Sequence, residues 1–268
     1  MTVRSRVRDG VVRVAAVSRR AARPCGKRVV ALHDTPDSQR LARKLDLLVS
    51  NYTIVALASV LGADSHPGEG DPCVSVAVTF DDGYRSWQTV AAPLLREREI
   101  PATFFVCSGI FDEYRGRADQ FTTERLRRTQ RLELLDEGGL RELSGDPLFS
   151  IGGHTVHHAD LGSLHDRRDL RAEIERDRSA LATLTGSSPA FFAYPFGLPA
   201  NISREAARYL REESGYLGAL TISPGAVTAG DRFRIPRHCL DVHQSDSTWR
   251  AWLAGGYDRL GGERSGQG

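Results

Sequence analysis

Residues 79–83 read TFDDG, directly after the apolar run VSVAV. Two adjacent carboxylates repel each other, and neither belongs at the low-dielectric end of a buried strand unless something cationic answers them. A second cluster, GGHTVHH at 152–158, places His154 and His158 four residues apart, close enough for both imidazoles to meet one ion from a helical turn or tight loop. His157 lies between them and points elsewhere. Two imidazoles and one carboxylate form a three-ligand set with an open position, the pattern of catalytic rather than structural metal sites. Such an ion acidifies water and polarises a carbonyl, the second carboxylate can take the water's proton, and a further histidine can protonate a leaving group. His33, which ends the run RVVALH, is a candidate for that last role and equally for a hydrogen-bonded core histidine. His66, His165, His238 and His243 sit in polar surroundings without a partner pattern and read as surface or supporting residues.

These residues need elements to position them. Apolar β-rich runs alternate with amphipathic patterns along the chain. RVVALH (28–33), YTIVAL (52–57), VSVAVTF (74–80), ATFFVC (102–107), FSIGG (149–153), FFAY (191–194), YLGALT (216–221) and FRI (233–235) read as strands. Helices are expected over 38–51, capped by Ser38 with Leu41, Leu45, Leu48 and Val49 inward, and around Trp87–Leu95 with Pro93 as a kink or restart. Others are expected over 166–185, with Leu170, Ile174, Leu181 and Leu184 inward and Gly186 as the stop, and over 203–215 from an N-cap Ser203. Residues 111–147 read as a loop with one or two short helices. Continuous apolar strands alternating with helices imply a parallel sheet covered on both faces. In such folds the carboxyl ends of strands face the ligand mouth, where Asp81, Asp82, His154 and His33 all fall.

The totals are those of a soluble globular protein: 268 residues, 40% hydrophobic, 26% charged and a net charge of +2. The charge is uneven, since residues 1–28 carry nine Lys or Arg against one acid, leaving the remainder at −6. Arg13 interrupts the only apolar run of this arm, so a secretory signal is not expected, and no stretch has a membrane span's length. The expected location is cytoplasmic. Residues 1–27 read as a flexible basic extension able to make weak membrane-surface contact, and 256–268 as a Gly-rich tail. Nucleic-acid binding is not expected, because the basic arm lacks interleaved aromatics or a reading fold. The four cysteines, 25, 73, 107 and 239, have no CxxC spacing and read as reduced thiols. No GxGxxG supports a dinucleotide site, and no Gly-x-Ser-x-Gly supports a serine hydrolase.

VTFDDGY (78–84) and GGHTVHH (152–158) resemble the first two motifs of the polysaccharide deacetylases, the NodB-homology carbohydrate esterases. FFAYPFG (191–197) resembles a variant of their third motif, and PLLREREIPATFFV (93–106) their linking helix and strand. The resemblance implies a distorted (β/α)7 barrel of parallel strands over 28–255 and hydrolysis of acyl groups from N-acetylated sugars. It further implies a divalent metal, Zn²⁺ first with Co²⁺ or Ni²⁺ compatible, on Asp82, His154 and His158. Asp81 would then be the base, with the Phe196 backbone N–H as oxyanion donor, and Tyr194, Pro195 and Arg237 as substrate contacts. Two departures stand out. The histidine precedes the first motif, as in the permuted poly-N-acetylglucosamine deacetylases, which implies His33 as the acid. Ala193 stands where the third motif usually has the arginine that orients the base, and Arg234 or Arg237 is the expected replacement. O-acetyl ester cleavage, deformylation of a lipid- or nucleotide-linked sugar, or sugar binding without catalysis are the alternative readings.

Overall fold

A computed structural model describes residues 26–62, 74–130, 132–164 and 166–258. Most of the basic extension, the 63–73 loop and the end of the Gly-rich tail lie outside the described residues, as do Cys25, Cys73, His66 and His165.

Among the described residues, eight strands follow in chain order: β1 (Gly26–Leu32), β2 (Thr53–Ile54), β3 (Val74–Asp82), β4 (Ala102–Val106), β5 (Phe149–Gly153), β6 (Phe191–Ala193), β7 (Gly218–Leu220) and β8 (His238–Cys239). All named pairings are parallel, in the order β7-β6-β5-β4-β3-β1-β8, with β2 beside the start of β3. The segment 235–240 brings the two edges together. Ile235 bridges Leu220 of β7, while His238 and Cys239 pair with Val30 and Ala31 of β1. The result is the curled parallel barrel expected from the motifs. Its fully buried strands, such as β3 with all nine residues inside, explain the unbroken apolar runs.

Among the described residues, eight α-helices cover the ring: α1 (Ser38–Val49), α2 (Leu57–Leu61), α3 (Ala92–Glu97), α4 (Ala118–Glu124), α5 (Glu137–Ser144), α6 (Arg167–Thr185), α7 (Arg204–Glu212) and α8 (Asp246–Leu253). A π-helical turn, Trp87–Ala91, runs directly into α3, and Pro93 sits in the first turn of α3 just after it. Some boundaries differ from expectation. Asp37, not Ser38, caps α1 by accepting the Arg40 N–H. Val49 is 42% exposed, and the buried face holds Leu47 and Lys44 instead. Lys44 is buried because Asp246 of α8 accepts its ammonium at 2.6 Å. YTIVAL is a strand only at Thr53–Ile54, and Leu57 already begins α2. The end of the chain holds β8 and α8, which FRI alone did not foreshadow. No helix among the described residues is long and apolar enough to cross a membrane.

Candidate metal and catalytic centre

The functional residues gather where the strands end. Asp81 and Asp82 are the last residues of β3, His33 follows β1, and His154 follows β5. Asp82 turns the chain with φ +93, and Gly83 follows at φ +107. Thr155, His158 and Phe196 also have positive φ, at +63, +52 and +60. Backbone of this kind costs about 1–3 kcal/mol per residue and persists only where surrounding contacts fix it. Here they do. Gly109 N–H donates to Val156 O, Val156 N–H to Glu173 O, and Ala159 N–H to the Thr155 hydroxyl. His157 is held between Glu173 and Glu113 and faces away from its two neighbours' site.

Asp82, His154 and His158 are buried, and their ligand atoms lie within 4.8 Å of one another. Asp82 Oδ1 is 3.5 Å from His154 Nε2 and 3.4 Å from His158 Nε2. Donors bound at about 2.0–2.1 Å to one tetrahedral ion stand about 3.3–3.4 Å apart, so these residues fit a shared cation. The tautomers fit as well. His154 Nδ1 lies 2.7 Å from Ala193 O, and His158 Nδ1 lies 3.2 Å from Arg125 O. Each carbonyl calls for the proton on Nδ1 and leaves the Nε2 lone pair to the site. Burial holds His158 below the ordinary histidine pKa, despite Asp82, which keeps it a neutral ligand. The second oxygen of Asp82 accepts the Tyr84 hydroxyl at 2.8 Å.

Asp81 has a different partner. Arg237 donates to both its oxygens at 2.7 Å, and also to the Thr79 hydroxyl and Thr221 O. Burial alone would raise the Asp81 pKa, but the Arg237 charge, with His154, holds it below the ordinary aspartate value. Arg237 is thus the residue that answers Asp81 in place of a third-motif arginine, and Arg234 is exposed. This corrects one expectation: Arg237 is fully buried behind Asp81 and is not part of the pocket wall.

His33 lies at the mouth with its carbonyl fixed by the Trp87 indole N–H at 3.1 Å and its Nδ1 4.0 Å from Cys239 Sγ. Burial alone would lower its pKa. The Cys239 contact and the charges of Asp82 and Asp81 prevail and raise it to about 9. Phe196 is the centre of a three-residue γ-turn in which Gly197 N–H donates to Pro195 O, and its ring packs 4.6 Å from the His158 ring. These groups open into a pocket of about 960 Å³ lined by His33, Asp81, Asp82, His154, His158 and Phe196. Tyr194 also lines it, although its hydroxyl is spent on Phe233 O, whereas Pro195 is buried in the turn. His243 lines the rim, but His238 is fully buried, contrary to its surface reading.

Asp177 of α6 had no place in the sequence reading, yet it accepts the N–H groups of both Ser108 and His154, at 2.9 and 3.0 Å. A Cβ on Gly153 would meet Asp177 Oδ2 at 2.9 Å and the Tyr216 hydroxyl at 2.1 Å, so the glycine makes room for this contact. Burial raises the Asp177 pKa to about 7 against the two N–H donors.

Comparison with known proteins agrees with the motifs. The polysaccharide deacetylase profile matches residues 68–213. The Bacillus subtilis (strain 168) protein YxkH, whose name places it among the polysaccharide deacetylases, is 25% identical over 169 residues. That alignment covers 63% of this chain and half the length of YxkH. The fold is shared with IcaB from Ammonifex degensii at TM-score 0.64 and 23% identity, covering 86% of this chain and 97% of that one. It is shared too with the Streptococcus pyogenes deacetylase PplD, solved with acetate, at TM-score 0.65 and 17% identity, covering 85% and 97%. With the profile spanning just over half of its residues, the chain belongs to the polysaccharide deacetylase family.

Proposed function

We propose that this chain is a metal-dependent deacetylase that hydrolyses the amide of an N-acetylated sugar. The observation that carries the reading is the buried Asp82–His154–His158 cluster beside an Asp81 that Arg237 holds ionised, both open to one pocket. Asp82, His154 and His158 would hold the cation, with Zn²⁺, Co²⁺ and Ni²⁺ all compatible with this donor set. When bound, a divalent ion there supplies Lewis acidity, polarising the acyl carbonyl and making nearby water more acidic.

The remaining chemistry belongs to the protein. Asp81, an anion at neutral pH, accepts the proton of the water that adds to the acyl carbon. The Phe196 N–H receives the negative oxygen as the carbon becomes tetrahedral. His33, whose anionic neighbours raise its pKa against the effect of burial, donates to the nitrogen as the C–N bond breaks, giving acetate and a free amine. Asp81 and Arg237 form a neutral pair, so the base is oriented without adding net charge.

The test is acetate release from N-acetylglucosamine oligomers, nucleotide sugars and an activated acetyl ester. Metal-stripped protein would be compared with protein resupplied with Zn²⁺ or Co²⁺, alongside an elemental metal count. Metal-restored release with about one ion per chain is expected, and Asp82→Ala should lose ion and activity together. A protein that binds no metal, or that turns over equally well without it, would sink the reading.

A further inference from the structure

Two guanidinium groups stand on one wall of the pocket. Arg127 and Arg128 line it beside Leu126, and both are exposed to it. The Arg127 guanidinium lies 4.7 Å from the centre of the Phe196 ring, over the turn whose N–H faces the reacting acyl group in the proposed reaction. Arg128 lies beside the Tyr84 hydroxyl, in the field of Asp82.

Their backbone is fixed to the site. The Arg125 carbonyl accepts from the metal-ligand candidate His158, the Leu126 N–H donates to Phe121 O, and the Arg128 N–H to Thr122 O. Arg127 itself has φ +53, a conformation that L residues rarely adopt. The two side chains are therefore presented from a segment that cannot drift without disturbing His158.

Many surface arginines meet acids, as Arg96 does Glu142 and Asp146, Arg98 Asp46, and Arg141 Glu137, while exposed Arg168, Arg204, Arg232 and Arg234 stand away from the pocket without one among the described residues. No carboxylate among the described residues lies within 4.0 Å of Arg127 or Arg128. The pocket's own acids are already committed. Asp81 is answered by Arg237, and Asp82 by two imidazoles and Tyr84. Asp34 accepts from Ser86, and Asp241 from the His243 N–H. A dication at the cluster would add positive charge to the same wall. Stacking on Phe196 holds one planar cation and the Tyr84 hydroxyl flanks the second, so both guanidinium groups are placed at the wall without a carboxylate of their own.

We infer that Arg127 and Arg128 form an anion subsite, so that the preferred substrate is an acylated sugar carrying a phosphate or carboxylate. The guanidinium fork matches the paired oxygens of either group, and both arginines line the same pocket as Asp81. The inference deepens the deacetylase reading and rests on it.

The experiment compares kcat/KM for acetate release from N-acetylglucosamine, its 1-phosphate, its 6-phosphate and N-acetylmuramic acid. It uses metal-loaded wild type and the R127Q/R128Q variant, at low and high NaCl. Charge-assisted contacts of this kind predict that wild type prefers an anionic sugar by about tenfold or more. In R127Q/R128Q that ratio should fall towards one, and in wild type it should shrink as salt rises. The ratio is insensitive to general damage, and which anion gains most separates phosphate from carboxylate. A wild-type ratio near one, or a preference that survives in R127Q/R128Q, overturns the subsite. If no sugar is turned over, calorimetric binding of glucosamine 6-phosphate and glucosamine 1-phosphate against glucosamine decides separately. Phosphate-dependent binding lost in R127Q/R128Q keeps the subsite while the deacetylase reading fails, and equal binding of all three overturns the subsite as well.

Discussion

At the scale of single residues, the centre depends on how two neighbouring carboxylates are given different partners. Asp82 faces two imidazoles, while Asp81 is clamped by Arg237. Side-chain alternation along β3 sends the two in different directions, and the positive φ at Asp82 completes the separation. The carboxylates, the histidine pair and His33 were legible in the sequence because each falls at the end of an apolar run. Arg237 was one of two candidates, since its partner is 156 residues away and no local pattern links them. Breaking this buried pair should be costly. Arg237→Gln leaves the Asp81 charge uncompensated, and a loss of about 3–5 kcal/mol is expected in urea unfolding. The pH profile gives an independent reading. A base must be ionised, so wild-type activity should decline only as pH falls below the ordinary aspartate range, through the depressed Asp81 pKa. Stability supplied by Asp81 is lost in the same direction, being present above its unfolded pKa and lost through the folded one. Without Arg237, burial meets only the weaker opposition of the nearby histidines and pushes Asp81 upward, so the acid limb should move toward neutral. An unchanged limb in Arg237→Gln would mean that another group is the base.

Elements were legible in proportion to their length. The 19 residues of α6 announce themselves by Leu170, Ile174 and Leu181, whereas β8 has two residues and no periodicity to detect. The same stripe held an unread signal. Asp177 falls at the helical spacing between Ile174 and Leu181, an acid on an apolar face, and burial there demands a partner. Its partners are the N–H groups that start the loops after β4 and β5, so α6 aligns His154 as well as packing the ring. Asp177→Ala would strand two buried donors at about 1–3 kcal/mol each and loosen His154. Urea unfolding should therefore show a loss of about 2–6 kcal/mol, and Zn²⁺ titration a weaker site. Asp177→Asn keeps a carbonyl acceptor and should lie between. If both variants bind the ion as wild type does, Asp177 supports the fold alone. Lys44 shows the limit of helical periodicity in the other direction: the distant Asp246 and the Trp249 ring make its burial tolerable, and nothing in α1 reveals that.

For the molecule as a whole, the ring and the family match do not coincide. Residues 68–213 contain β3 to β6 and thus Asp81, Asp82, His154 and His158. They do not contain β1, β7 or β8, nor His33 and Arg237. Yet β1 pairs along nearly the whole of β3 from Val74 to Phe80, and β8 joins β1 on its other side. A fragment of 68–213 would expose that edge of β3, leave Asp81 buried without a counter-charge and forfeit the candidate acid. Open, apolar strand edges favour association over folding, and an unpaired buried carboxylate opposes the compact state. The expectation is that this fragment shows no cooperative thermal transition and aggregates, while the full chain melts cooperatively and is further stabilised by Zn²⁺. Ligand linkage sets the size of that stabilisation, about 4 kcal/mol at a free ion concentration a thousand times Kd. A fragment that melted cooperatively and bound one Zn²⁺ would show that β3 to β6 form a self-sufficient unit. The first and last strands would then be additions that bring the acid and the base's partner to a site already built, rather than parts of the ring without which that site does not form.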